Sequence, residues 1–118
     1  MQTVLNGVPI EQEEKIQCIL QIMADKYSRD LLRITQDTPK SAFMIAQETG
    51  IPISTVYRRI QKLQDAGVVR VSGEINLEGK KHFLYQSKVK SISSNVAGEL
   101  INVEIVPNPP PALQKWGI

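Results

Sequence analysis

One cysteine and one histidine leave little room for metal or redox chemistry. Cys18 has no second cysteine, so no disulfide can form within the chain. A structural zinc site usually takes four Cys or His ligands, and Cys18 and His82 supply two between them. No apolar run approaches the roughly 20 residues that cross a bilayer. The opening stretch MQTVLNGVPI has neither a basic start nor a long apolar segment. It predicts no signal peptide and an intracellular, cytoplasmic location. There is no phosphate-cradling glycine loop and no nucleophile-elbow motif. A Ser-His-Asp set would have to draw on His82, in a wing. The sequence therefore predicts a chain that is not an enzyme, holds no metal and needs no cofactor.

What is present is an ordinary globular composition, with 42% hydrophobic and 22% charged residues among 118. That length suits one domain with a modest extension and a core that needs no staple. The net charge is only +2, but it is unevenly spread. Residues 51–90 carry eight basic groups (Arg58, Arg59, Lys62, Arg70, Lys80, Lys81, Lys88 and Lys90) against Asp65, Glu74 and Glu78. The flanking segments are slightly acidic. A basic middle is what a nucleic-acid surface requires, although solvated basic faces are common.

Hydrophobic periodicity divides the chain into four helices and then strands. Residues 11–24 place Ile16, Ile19, Leu20 and Met23 at helical spacing, with glutamates in the first turn. Cys18 on this helix reads as a core or interface residue. Asp25 reads as a break and as the N-cap of a helix over about 26–36, buried through Leu31, Leu32 and Ile34. Pro39 ends it. A third helix, Ser41 to Thr49, takes Phe43, Ile45 and Ala46 as its inner face and stops at Gly50. Pro52 opens a fourth, over 52–66, with Val56, Ile60 and Leu63 on one face. After Gly67 the period becomes two. Val69 and Val71 begin a strand, 78–80 is a turn, and Lys81 to Ser87 returns with Phe83 and Tyr85 on one face. Two further strands are expected at 89–95 and 100–106, turning at Ala97-Gly98. The segment 107–118, PNPPPALQKWGI, reads as an extended, proline-rich flexible tail.

The fold expected is α+β: a winged helix-turn-helix over 11–88, followed by a C-terminal β-hairpin over 89–106. Two helices joined by a short glycine turn form the DNA-binding arrangement, because one helix fits the major groove and its leading residues reach base edges. The groove helix would be 52–66. Ser54 and Thr55 can bond phosphates or bases, and Arg58 can grip guanine through two atoms. Arg59 and Lys62 suit phosphates, which anchor without reading sequence. Tyr57 either touches a base or packs against the wing. The wing, 73–82, would bring Lys80 and Lys81 to the backbone or the minor groove. The competing reading for all these cations is a solvated face. His82 reads as a surface or wing-stacking residue.

The segments MADKYSRDLLRI, SAFMIAQETGIPISTVYRRIQKLQDAGVVRV and GKKHFLYQS resemble the winged-helix regulators of the ArsR type, particularly their archaeal members. The likeness covers about residues 11–88. It implies a homodimer on a near-palindromic DNA operator, with Ser54, Thr55, Tyr57 and Arg58 facing the DNA. Some members of that family sense metals through cysteine-rich helices. The helix at 41–49 has no cysteine, so metal sensing does not carry over. Pro52 also stands where relatives often place a capping serine.

The helix at 11–24, together with the 89–106 hairpin, is the expected dimer interface. The alternative class is a protein-interaction module of the transcription machinery. It would use the hairpin edge for strand pairing and the Trp116-bearing tail as a docking peptide. A nonspecific architectural DNA binder fits less well with so modest a net charge. No small-molecule effector is named by any motif.

Overall fold

The computed structural model describes residues 7–75, 78–79 and 81–110. A short strand β1 (Val8–Ile10) leads into α1 (Glu13–Ala24) and α2 (Lys26–Ile34). The helical run breaks at Asp25 because that residue is extended (φ −97°, ψ 117°). Its carboxylate accepts from the Ser28 backbone N–H at 2.9 Å and from Ser28 Oγ at 2.7 Å. This is the N-cap the sequence predicts, and it satisfies a donor the helix start would otherwise leave open.

Helices α3 (Ala42–Thr49) and α4 (Ile53–Asp65) follow. Ser41 Oγ caps α3 by accepting from Met44 N at 3.2 Å. Gly50 ends α3 at φ +77°, a left-handed conformation that a Cβ disfavours. Pro52 is extended (ψ 141°) and stands just before the helix rather than in its first turn. Ile19, Ile45, Val56 and Leu63 have no exposed surface, and Leu31 keeps 2%. These side chains lock all four helices together. Each buried aliphatic of this size contributes roughly 1.5–3 kcal/mol.

Strands β2 (Val69–Ile75) and β3 (Lys81–Ser87) pair antiparallel as the wing. The α2–α3 loop adds a third, one-residue strand. Lys40 N donates to Tyr85 O at 3.0 Å and Tyr85 N to Lys40 O at 2.8 Å. Strands β4 (Val89–Ala97) and β5 (Leu100–Pro107) form a separate sheet in the order β1-β5-β4, with Gly98 and Glu99 at the turn. Ile101, Val103 and Ile105 turn inward in alternation, as their period of two predicts. The architecture is thus a winged helix-turn-helix with an added C-terminal hairpin, whose sheet also recruits β1. No helix among the described residues is long and apolar enough to cross a membrane.

A polar cluster joins the two sheets. Asn108 is buried, and its Nδ2 donates to Gln36 O at 2.8 Å and to Ser87 O at 2.9 Å. Gln86 Nε2 also donates to Gln36 O, at 3.1 Å. Arg70 Nη2 donates to Asn108 O at 2.6 Å. Buried polar groups need such partners, and among the described residues no buried side-chain N or O lacks one.

Four expectations are corrected. Residues 107 and 108 belong to the folded body, because Pro107 pairs with Val89 and Asn108 holds the cluster; residues 111–118, including Trp116, lie outside the described residues. Phe43 is 64% exposed, because α3 buries Ala42 and Ile45 and so turns Phe43 outward. Cys18 is exposed and so is not a core residue, because α1 packs through Ile16, Ile19 and Ile22. Strand β1 was not expected from the sequence.

Candidate nucleic-acid interface

The pair α3–α4 presents its outer side to solvent. Val56, Ile60 and Leu63 turn inward from α4. The helical period therefore leaves Ser54, Tyr57, Arg58, Gln61 and Lys62 exposed, with Thr55 partly so. Arg58 Nη2 donates to Thr55 Oγ1 at 3.2 Å, which lays the guanidinium along the first turns of the helix. Gln61 Nε2 donates to Asp65 further along, at 3.0 Å. Thus Ser54, Thr55, Tyr57 and Arg58 come together on the leading turns of the helix, and Lys62, exposed a turn further on, also borders the cleft lined by Asp25, Arg59 and Asp65.

Arg59 does not join them. Its Nε donates to Asp25 Oδ2 at 2.8 Å and its Nη2 to Oδ1 at 3.4 Å. The guanidinium carbon also sits 5.7 Å from the centre of the Tyr27 ring. The physical reason is position: Arg59 precedes the buried Ile60 and points back to the α1–α2 corner. The Arg59 hydrogen bond is the main influence that lowers the Asp25 carboxyl from its ordinary 3.8 to about 2, with further lowering from the Ser28 bonds. An arginine expected at a DNA phosphate is instead a brace between α4 and the start of α2. Arg70 is likewise turned inward, toward Asn108, and burial pulls its pKa down from the usual arginine range.

At the wing, Gly79 turns with φ +82°. Lys80 and the side chain of Lys81 lie outside the described residues, so the wing-tip expectation falls there. His82 is exposed and Phe83 is 47% exposed. Tyr85 is half-buried. Burial raises its hydroxyl above the ordinary tyrosine value, and the Tyr57 hydroxyl adds to the rise. Tyr57 itself remains 56% exposed.

Sequence reasoning missed part of this surface. Ile53 (42% exposed), Met44 (38%) and Phe43 present apolar side chains on the outer side of α3 and α4. The signal was available in Ala42, Ile45 and Ala46, which share a face at i, i+3 and i+4 once alanine is counted as core. Among the described residues no three His, Cys, Asp or Glu side chains gather where they could hold a metal ion.

Residues 23–72 match the family model of a helix-turn-helix domain. The matched span runs from the end of α1 through α2, α3 and α4 into β2 and so contains the α3–α4 surface, while strand β3 of the wing lies beyond it. Comparison with curated proteins gave no match. Over that span the chain is similar to a helix-turn-helix domain, and the fold around it is a winged helix.

Proposed function

We propose that the protein is a cytoplasmic, sequence-specific double-stranded DNA-binding transcription regulator of the ArsR-like type, acting as a homodimer. The observation that carries this reading is the exposed row Ser54, Tyr57, Arg58 and Lys62 on α4, within the segment that matches a helix-turn-helix domain. Helix α4 enters the major groove. Arg58 reads base edges there and Lys62 anchors to phosphate. Exposed Ile53 adds an apolar contact suited to thymine methyl groups. The wing follows the backbone. The reading includes no catalysis, metal or cofactor.

The dimer contact is assigned to the C-terminal hairpin rather than chiefly to α1. Val96 and Leu100 are 68% and 69% exposed near its turn, whereas α1 turns Gln17, Cys18 and Gln21 outward. Two copies would set their α4 helices about 34 Å apart, one turn of DNA. Selection of binding sites from random duplex DNA, followed by affinity against salt, tests the reading. Enrichment of a two-fold symmetric motif is expected. Binding without enrichment but with a steep salt slope would reduce the protein to a backbone binder. No binding to any duplex would turn the same surface over to protein recognition.

A further inference from the structure

A groove of about 350 Å³ opens between α2 and β4, on residues that the DNA reading does not use. Met23, Leu32, Val89 and Ile92 give it apolar walls. Arg29, Arg33 and Lys90 also line it, and among the described residues it has no carboxylate in its lining. Three cations line the cleft and no acidic residue does, so the groove presents positive charge, with Asp30, outside the lining, answering Arg33 alone of the three.

The cations are available to differing degrees. Arg29 Nη1 donates to Met23 O at 2.6 Å, which spends one donor of five and fixes the side chain beside the groove. Arg33 donates to Asp30 at a long 3.3 Å, and Asp30 is more closely held by Lys26 at 2.9 Å. The Arg33 side chain remains 68% exposed. Lys90 is exposed and has no ion-pair partner among the described residues.

We propose that this groove binds a small organic carboxylate with an apolar body. The apolar part lies along Met23, Leu32, Val89 and Ile92, and the carboxylate accepts from Arg33 and Lys90. A guanidinium fork suits a carboxylate, and such bonds are stronger than neutral ones. At roughly 30 Å³ per water-sized group, the volume suits a body of about a dozen heavy atoms. The proposal stands on the groove alone and does not require that α4 read DNA.

The test uses decanoate as the probe, with decyltrimethylammonium and decanol as controls of the same chain length. Methyl resonances of Met23, Leu32, Val89 and Ile92 are followed by NMR in the full chain without DNA. Decanoate is expected to shift these methyls saturably, and the two controls to bind at least about tenfold more weakly. Lys90→Glu and Arg33→Glu, both at exposed side chains, are expected to weaken decanoate by at least about tenfold each, the scale of one charge-assisted hydrogen bond. The rest of the methyl spectrum checks that each variant is folded. Equal binding of decanoate and decanol would overturn the proposal, because the cations would then play no part. Saturable shifts elsewhere on the molecule, or none at all, would also overturn it. So would shifts of the groove methyls that follow protein concentration alone, which would give the groove to a second copy of the chain.

Discussion

Replacing Arg59 by Met separates a brace from a DNA contact. The methionine keeps the apolar stem but loses the bonds to Asp25 at 2.8 and 3.4 Å and the position over Tyr27. The Arg59 and Asp25 side chains are 25% and 32% exposed, so solvent screens the pair and its share is about 0.5–1 kcal/mol. The ring contact adds about 0.5–1 kcal/mol. The Asp25 cap on Ser28 survives. A loss of about 1–2 kcal/mol is expected in urea unfolding, or a Tm lower by roughly 4–8 °C. The slope of log affinity against log salt should stay at the wild-type value. If Arg59 held a phosphate, the slope would fall by about 0.9 and stability would hardly move. That pair of results would refute the assignment. Acid supplies a second check. Asp25 has a folded value near 2, below its ordinary 3.8. Its stabilisation is therefore complete above the unfolded value and is lost as the pH falls through the folded one. The stability gap between wild type and Arg59→Met should narrow between about pH 4 and pH 2.

Three further outcomes are expected. Arg58→Ala should weaken binding to a selected site by about 1–3 kcal/mol and relax sequence preference, as read by titrating matched and mismatched duplexes; an equal loss on every sequence would remove base reading from its role. Asn108→Ala should cost about 2–4 kcal/mol in urea unfolding, because it removes donors from the carbonyls of Gln36 and Ser87 in a buried setting; a loss under about 0.5 kcal/mol would mean the cluster does not hold the sheets together. Gly50→Ala should cost about 1–2 kcal/mol through its φ of +77° alone, since a Cβ there meets nothing within 4 Å; unchanged stability would show that the turn relaxes.

Local chemistry made most of the frame legible. Asp25, Ser41, Gly50, Pro52 and Gly67 each mark a boundary through capping or backbone preference, and the helices begin and end beside them. The wing strand 81–87 is legible because Phe83 and Tyr85 share one face at a period of two. What escaped depends on partners distant in sequence. Arg59 meets Asp25 across 34 residues, and nothing in the run Tyr57-Arg58-Arg59 tells which arginine turns inward. Strand β1 has three residues, too few to show a period, and exists because β5 is there to receive it. Asn108 stands among prolines whose composition reads as extended chain, yet its amide is the link between the two sheets. Phe43 was misplaced by size. The small Ala42 takes the core position, and the large side chain beside it goes to solvent.

The pairing of β1 with β5 also sets an order of assembly. Val8 meets Ile105, and Asn108 reaches Gln36 across 72 residues. Closing such long loops is entropically costly, and contacts of this range form slowly. The helices α1 to α4 and the wing can gather from nearer neighbours while the chain is still being made. The sheet β1-β5-β4 must wait until the residues around Asn108 have emerged from the ribosome. Until then Val8 to Ile10 has no strand to join. Pairing with β5 therefore fastens the first described strand late, and any event that frees β5 in the finished protein releases β1 with it.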